Sequence, residues 1–172
     1  MVKNQTLTDM PRVEQQGLGR IVRTMEARAT GHFHEVLVMK ASCLCGGVRF
    51  EIDGEFQYAG YCHCSECQKF SGSANSAFGG LRKEQLSVVQ GQALMRYYVK
   101  YPGSHVAFCG RCGSCLLNEK IAWETTNIRL GLLDDPTAVA PSFHVYVGSK
   151  APWHHWQDDL PKFDELPDQP LT

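Results

Sequence analysis

The chain has 172 residues, 43% of them hydrophobic and 20% charged, the balance of an ordinary globular protein with enough length for one core. A formal net charge of −1 removes the electrostatic reason to expect nucleic acid or an anionic membrane surface as a partner. No apolar run approaches the length of a membrane span; the densest near the N-terminus is Val36-Leu-Val-Met39.

Met1–Gln16 is polar and has no apolar h-region, so no secretory signal is read there. A reducing, cytoplasmic compartment is the expectation, where clustered cysteines bind metal more often than they pair as disulfides. Met1–Gly31 contains no Phe, Trp, Tyr or Cys. Leu18, Ile21, Val22 and Met25 recur near helical spacing, which suggests a short amphipathic helix between Gln15 and Ala29. The plainer reading, which we prefer, is a flexible extension over residues 1–38, or an upstream start ahead of Met39. A domain over 39–167 and a tail over 168–172 complete the expected organisation.

From Lys40 onward the pattern changes to short β segments separated by turn residues. Val48-Arg-Phe-Glu-Ile52 alternates as a half-buried strand does. Further strands are expected over Phe56–Tyr61, Ser76–Gly79, Leu86–Val89, Leu94–Val99, His105–Phe108, Asn127–Leu132 and Phe143–Val147. Turns are expected at Asp53-Gly54, Gly91, Pro102-Gly103 and Asp134-Asp135-Pro136. Only Ser65–Phe70 and Leu160–Leu166 invite a helical turn. The predicted class is mainly β, with few short helices.

Of the eight cysteines, seven fall into three clusters: Cys43-Leu-Cys45, Cys62-His-Cys64-Ser-Glu-Cys67 and Cys109-Gly-Arg-Cys112. Thiolates at such spacing converge on one soft cation, for which Zn²⁺ is the usual occupant. Cys-x-Cys is a poor disulfide pair, which weakens the disulfide alternative. Cys43, Cys45, Cys109 and Cys112 would close a four-cysteine structural site, with glycines after each pair turning backbone N–H groups toward sulfur. Cys62, Cys64 and Cys67 would hold a second zinc with its fourth position open, where chemistry happens. His63, Cys115 and an exogenous water or thiol are the candidates for that position, the last preferred. His63 should point away from its two neighbours in an extended stretch. Cys115 reads most simply as a small core residue, although Cys112-Gly-Ser-Cys115 is itself a Cys-x₂-Cys and leaves the register of the third cluster open. Arg96-Tyr-Tyr-Val-Lys-Tyr101 and Trp153-His-His-Trp156 are weaker candidates for binding surfaces, and Ser71, His144 and His154 for groups that support the site. No dinucleotide fingerprint, phosphate loop or nucleophile elbow is present.

In order, Ser42-Cys-Leu-Cys-Gly-Gly-Val-Arg-Phe50, Cys62-His-Cys-Ser-Glu-Cys-Gln-Lys-Phe-Ser-Gly72, Phe108-Cys-Gly-Arg-Cys-Gly-Ser114 and Pro141-Ser-Phe-His-Val-Tyr-Val-Gly-Ser-Lys-Ala-Pro-Trp153, followed by Asp159-Leu-Pro-Lys-Phe163, resemble the glutathione-dependent formaldehyde-activating enzymes. That family shares its domain with centromere protein V, and the resemblance covers about residues 40–167. It implies several coiled, mostly antiparallel sheets, a structural zinc on Cys43, Cys45, Cys109 and Cys112, and a catalytic zinc on Cys62, Cys64 and Cys67. It further implies a carbon–sulfur lyase that reversibly condenses glutathione with formaldehyde to an S-hydroxymethyl adduct. Cys115 departs from the family pattern. Two other functions are compatible with the same residues: a zinc-stapled binding module without catalysis, and a zinc-containing methionine sulfoxide reductase, for which only Cys115 is free to recycle. The expected partner is a small-molecule thiol such as glutathione, with neither nucleic acid nor membrane.

Overall fold

The computed structural model describes residues 22–27, 33–135 and 137–166, with side chains from Val38 onward. The expectations for residues 1–21, for Pro136 and for the tail over 168–172 lie outside the described residues.

Twelve strands form two sheets among the described residues. The smaller has the order β1-β2-β3-β6, from β1 (Val22–Ala27), β2 (Phe33–Ser42), β3 (Arg49–Asp53) and β6 (Leu86–Gln90). The larger has the order β12-β11-β4-β5-β10-β9-β8-β7. Its strands are β4 (Tyr58–Cys62), β5 (Ser76–Arg82), β7 (Met95–Tyr101), β8 (Ser104–Cys109), β9 (Cys115–Lys120), β10 (Thr125–Arg129), β11 (His144–Val145) and β12 (Lys162–Phe163). All pairings are antiparallel except those of β11 with β4 and with β12. One α-helix, α1 (Ser65–Ser71), follows β4. The mainly β, mostly antiparallel class expected from the sequence is the one observed.

Four expectations for individual elements are corrected. Val22–Ala27, offered as part of a helix or a flexible extension, is a strand paired antiparallel with β2, Val22 opposite Val38 and Ala27 opposite Phe33. β2 runs through Met39 without a break, so the strand crosses the expected domain boundary. Cys115–Lys120, for which no strand was expected, is a strand held on both sides by β8 and β10. Its Asn-Glu-Lys end has weak strand propensity, and the two ladders override it. At Leu160–Leu166 a two-residue strand stands where a helical turn was expected. Pro161 precedes it, and the Pro161 carbonyl accepts from His144 N, docking this stretch on β11. β10 stops at Arg129 and continues as a 3₁₀ turn over Leu130–Leu132.

The main core lies between the sheets. Met39, Ala41, Phe50 and Ile52 from β2 and β3 meet Leu81, Ala107, Leu116, Leu117 and Ile128 from the larger sheet. Leu81, Ala107, Leu117 and Ile128 share this face by the period-2 rule, with Leu116 at the register shift between β8 and β9, so the other face of the larger sheet carries the alternate set. Across that second face, Tyr58, Gly80, Asn127, Asn118, Val106 and Tyr98 stand directly opposite one another from β4 to β7. A smaller core of Cys62, Cys67, Phe78, Phe143 and Val145 sits on this side.

Two glycines make that arrangement possible. A Cβ at Gly80 would enter the ring of Tyr58, and one at Gly60 would enter the ring of Phe143. Gly80→Ala is therefore expected to destabilise the fold by about 1–3 kcal/mol through overpacking, read as a lower urea midpoint at unchanged slope. The exposed Gly72, where a Cβ meets nothing but φ is +65°, should lose only the small cost of a left-handed alanine.

Candidate metal centres and ligand cavity

The first cluster is assembled from two tight turns. Cys43 ends one strand region, and Gly46 N bonds to Cys43 O at 2.8 Å with Gly46 in the left-handed region, φ +65°. Val48 N points at Cys43 Sγ at 3.2 Å. The second turn copies this: Gly113 N bonds to Cys109 O at 2.8 Å with φ +76° at Gly113. Glycine is used at both because a Cβ is disfavoured at positive φ. Leu44 N donates to Ser114 Oγ at 3.0 Å and ties the two turns together.

Cys43, Cys45, Cys109 and Cys112 bring their sulfurs within 4.8 Å of one another. Cys43 and Cys45 are 3.5 Å apart, Cys45 and Cys109 3.9 Å. Four sulfurs at about 2.3 Å from a tetrahedral zinc would be about 3.8 Å apart, a spacing close to the two shortest pairs here, so the donor set suits that ion. Burial opposes ionisation of Cys112, yet the Ser114 hydroxyl, the backbone of Ser114 and Cys45, and the Cys109 thiol outweigh it and bring its pKa down to about 5. The structure selects Cys112, not Cys115, as the fourth member, settling the register that spacing left open.

The second cluster is Cys62, Cys64 and Cys67, also within 4.8 Å of one another. Each comes from a different local feature. Cys62 is the last residue of β4, Cys64 is the N-cap of α1, and Cys67 lies in the first turn with its N–H donating to Cys64 Sγ at 3.4 Å. Gln68 locks the turn by donating to His63 O at 2.6 Å and Ser149 O at 2.8 Å. Cys62 donates to Cys64 Sγ at 3.4 Å. Thiol hydrogen bonds from Cys62 and Cys67 hold Cys64 at about 2, whereas the bonds to Cys64 and Cys67, followed by burial, push Cys62 far up. Without a cation these neighbours thus oppose one another's full ionisation. Full ionisation needs a divalent ion of the thiophilic kind, and the donor set fits zinc.

Neither protein candidate for the fourth position joins this group. His63 is fully buried and turned away, its Nε2 2.8 Å from His144 Nδ1. His144 Nε2 lies 3.0 Å from Asp158 Oδ1. With the carboxylate accepting from His144 Nε2–H, His144 Nδ1 must accept from His63 Nε2–H, which fixes both tautomers. Burial, and then the charges of His144, His154 and Lys150, bring the pKa of His63 down to about 4. Cys115 donates its thiol to Phe70 O at 2.8 Å.

The trio opens onto a cavity of about 930 Å³ between α1 and the second face of the larger sheet. Lys100, Tyr101, Asn118, Asn127, Arg129 and Tyr146 are among its polar lining. Lys100 pairs with Glu66 of α1 at 2.7 Å across its edge. Tyr146 is the single non-glycine residue with positive φ among those described, at 57°, a strain that tends to accompany functional sites. Burial, then the charges of Cys62 and Cys64, hold its phenol above the usual range, so it remains an O–H donor.

Of the surfaces suggested by sequence, Lys100 and Tyr101 from the Arg96–Tyr101 segment do line the cavity. The Trp153-His-His-Trp156 segment does not. Trp156 packs edge-on against His63, His144 and His154 behind the cluster, and Trp153 is exposed. Ser71 serves α1 itself, donating to Cys67 O at 2.8 Å. Sequence reading passed over Asn118, Asn127, Arg129 and Tyr146. The available signal was Thr125-Thr-Asn-Ile-Arg129, where polar residues alternate with Ile128 on a strand flanked by apolar ones.

Two sheets carrying a four-cysteine staple, with three further thiols opening onto a cavity, define a β-class protein with one closed and one open candidate metal site. The sequence matches the family model of the glutathione-dependent formaldehyde-activating enzyme over residues 38–149, more than half of the chain, and the protein belongs to that family. The match stops short of His154, Trp156 and Asp158. None of the curated proteins matches the sequence. Among solved structures, a Rhodobacter sphaeroides structural-genomics protein is similar, with 25% sequence identity, 60% of this chain and 92% of that chain covered, and a TM-score of 0.49.

Proposed function

We propose that the protein is a zinc-dependent carbon–sulfur lyase that reversibly condenses a small thiol, glutathione or a close relative, with formaldehyde. The observation that carries this reading is the three-sulfur group at the wall of a ligand-sized cavity, beside a separate four-sulfur group that needs no further ligand. Zinc bound by the trio would supply a soft position that favours thiolate over thiol at neutral pH. Cys62, Cys64 and Cys67 would be its ligands, and Cys43, Cys45, Cys109 and Cys112 those of the structural ion.

The chemistry forms one S–C bond. The ligand's sulfur adds to the carbonyl carbon, the π pair moves to oxygen, and the thiol proton ends on the new hydroxyl, with no oxidant or reductant. Three ionised cysteines bring so much negative charge that the protein's share lies in holding and orienting the ligand, less in polarising the aldehyde. Tyr146, with its phenol protonated, offers the cavity a hydrogen-bond donor. Gln68 and the Asp158–His144–His63 chain hold the loop that carries Cys62 and Cys64.

NMR exchange among formaldehyde, glutathione and the adduct, measured against a protein-free control, tests the reaction. Faster exchange with protein is expected, and an unchanged rate would remove the substrate assignment. Metal analysis should give two equivalents of zinc per chain.

A further inference from the structure

The cavity floor contains three buried polar atoms that have no hydrogen-bond partner among the described residues: Asn118 Oδ1, Asn127 Oδ1 and Arg129 Nε. They are neighbours. Asn118 and Asn127 face each other across the β9–β10 ladder, and Arg129 is two residues beyond Asn127 on the same face. Arg129 is 6% exposed, and its guanidinium lies over the Phe70 ring at 5.3 Å. No carboxylate among the described residues is paired with it. The other cations of the cavity are engaged, Lys100 with Glu66 and Lys120 with the face of Trp123 at 3.9 Å. Glu66 is the single acid among the lining residues.

A buried cation without an anion is costly, and so is a buried amide oxygen without a donor. Finding both side by side, on residues that line a cavity, is what a site looks like before its ligand arrives. The complementary group has a carboxylate for the planar fork of Arg129 and an N–H for the asparagine oxygens. An amino acid or short peptide presents both within a few ångströms. We propose that Arg129, with Asn118 and Asn127, is the anchor that selects a carboxylate-bearing, peptide-like thiol and holds it with its sulfur toward Cys62, Cys64 and Cys67. The proposal rests on the thiol-lyase reading above. The competing role for Arg129 is that of counter-ion to the thiolate trio, since its charge favours ionisation of Cys67.

Titration calorimetry on the zinc-loaded full-length chain separates these, with four probes: glutathione, S-methylglutathione, glutathione diethyl ester and 2-mercaptoethanol. Arg129→Met should weaken glutathione and S-methylglutathione by roughly 10- to 100-fold and leave the diethyl ester and 2-mercaptoethanol unaffected. Arg129→Lys should fall between, because a lysine keeps the charge but loses the fork. The diethyl ester should bind wild-type protein more weakly than glutathione by a similar factor, a comparison that requires no variant to fold. Equal weakening of 2-mercaptoethanol and glutathione by Arg129→Met would assign Arg129 to the metal site and overturn the anchor. Glutathione that binds wild type no better than its diethyl ester would also overturn it, while leaving the thiol reading intact. Binding of S-methylglutathione that depends on Arg129, without any binding of 2-mercaptoethanol, would keep the anchor and remove the thiol reading.

Discussion

Replacing Cys45 by alanine is expected to destabilise the protein by about 3 kcal/mol or more, although the residue is exposed and packs in no core. A surface substitution with no special role stays within about 0.5 kcal/mol. Cys45 is different because its sulfur lies 3.5 Å from Cys43 and 3.9 Å from Cys109, and its partners reach across from the end of β8 to the end of β2. Structural zinc contributes roughly 10–16 kcal/mol in small zinc domains, comparable with a whole domain's stability of about 5–15 kcal/mol. Losing one of four ligands removes a substantial part of that. The choice of Cys45 over Cys109 matters. Cys109 is fully buried, so its replacement would mix a packing defect with the loss of a ligand. Leu44, 87% exposed beside Cys45, is the control: Leu44→Ala should melt with wild type. Urea unfolding in the presence of zinc reads the difference, and a Cys45→Ala midpoint equal to that of Leu44→Ala would show that the four-cysteine group does not hold the fold.

The cysteine clusters were legible because their signal is local. Cys-x-Cys-Gly and Cys-x₂-Cys-Gly each specify a turn, and glycines at Gly46 and Gly113 mark where the left-handed residue must be. The strand over Arg49–Asp53 was legible for the same reason, since alternation within five residues is a local property. The cavity was not. Its floor depends on register among six strands, so Asn118 meets Asn127, and both reach the neighbourhood of Arg129, only through pairings between distant segments. Nothing near Arg129 in sequence announces a buried cation. The C-terminal stretch was legible only in part, since His144 was named as a supporting group and Asp158 was not. Trp153-His-His-Trp156 looks like a site, but the residues that count are His144 and Asp158, which flank it and lock His63 from behind. Cys115 was the remaining ambiguity, and it was resolved by a single contact with the Phe70 carbonyl.

Cys64→Ser is expected to abolish the activity and leave the fold standing. Cys64 is the N-cap of α1, where its sulfur accepts from Cys67 N, and serine is among the preferred residues at that position. The substitution therefore keeps or improves the helix start while removing the thiol that sits between Cys62 and Cys67 in the hydrogen-bonded trio. Two ligands hold zinc poorly, so metal content should fall from two equivalents to one. The urea midpoint should stay within about 1 kcal/mol of wild type, because the four-cysteine staple is untouched. Formaldehyde–glutathione exchange should drop to the protein-free rate. The combination is the informative part. Loss of both zinc equivalents would mean that the two clusters are not independent, and loss of stability together with metal would make the second cluster a staple like the first. Retention of both equivalents would move the second ion away from these cysteines altogether. Only the loss of one zinc with the fold intact leaves Cys62, Cys64 and Cys67 as the open site that a thiol from the cavity completes.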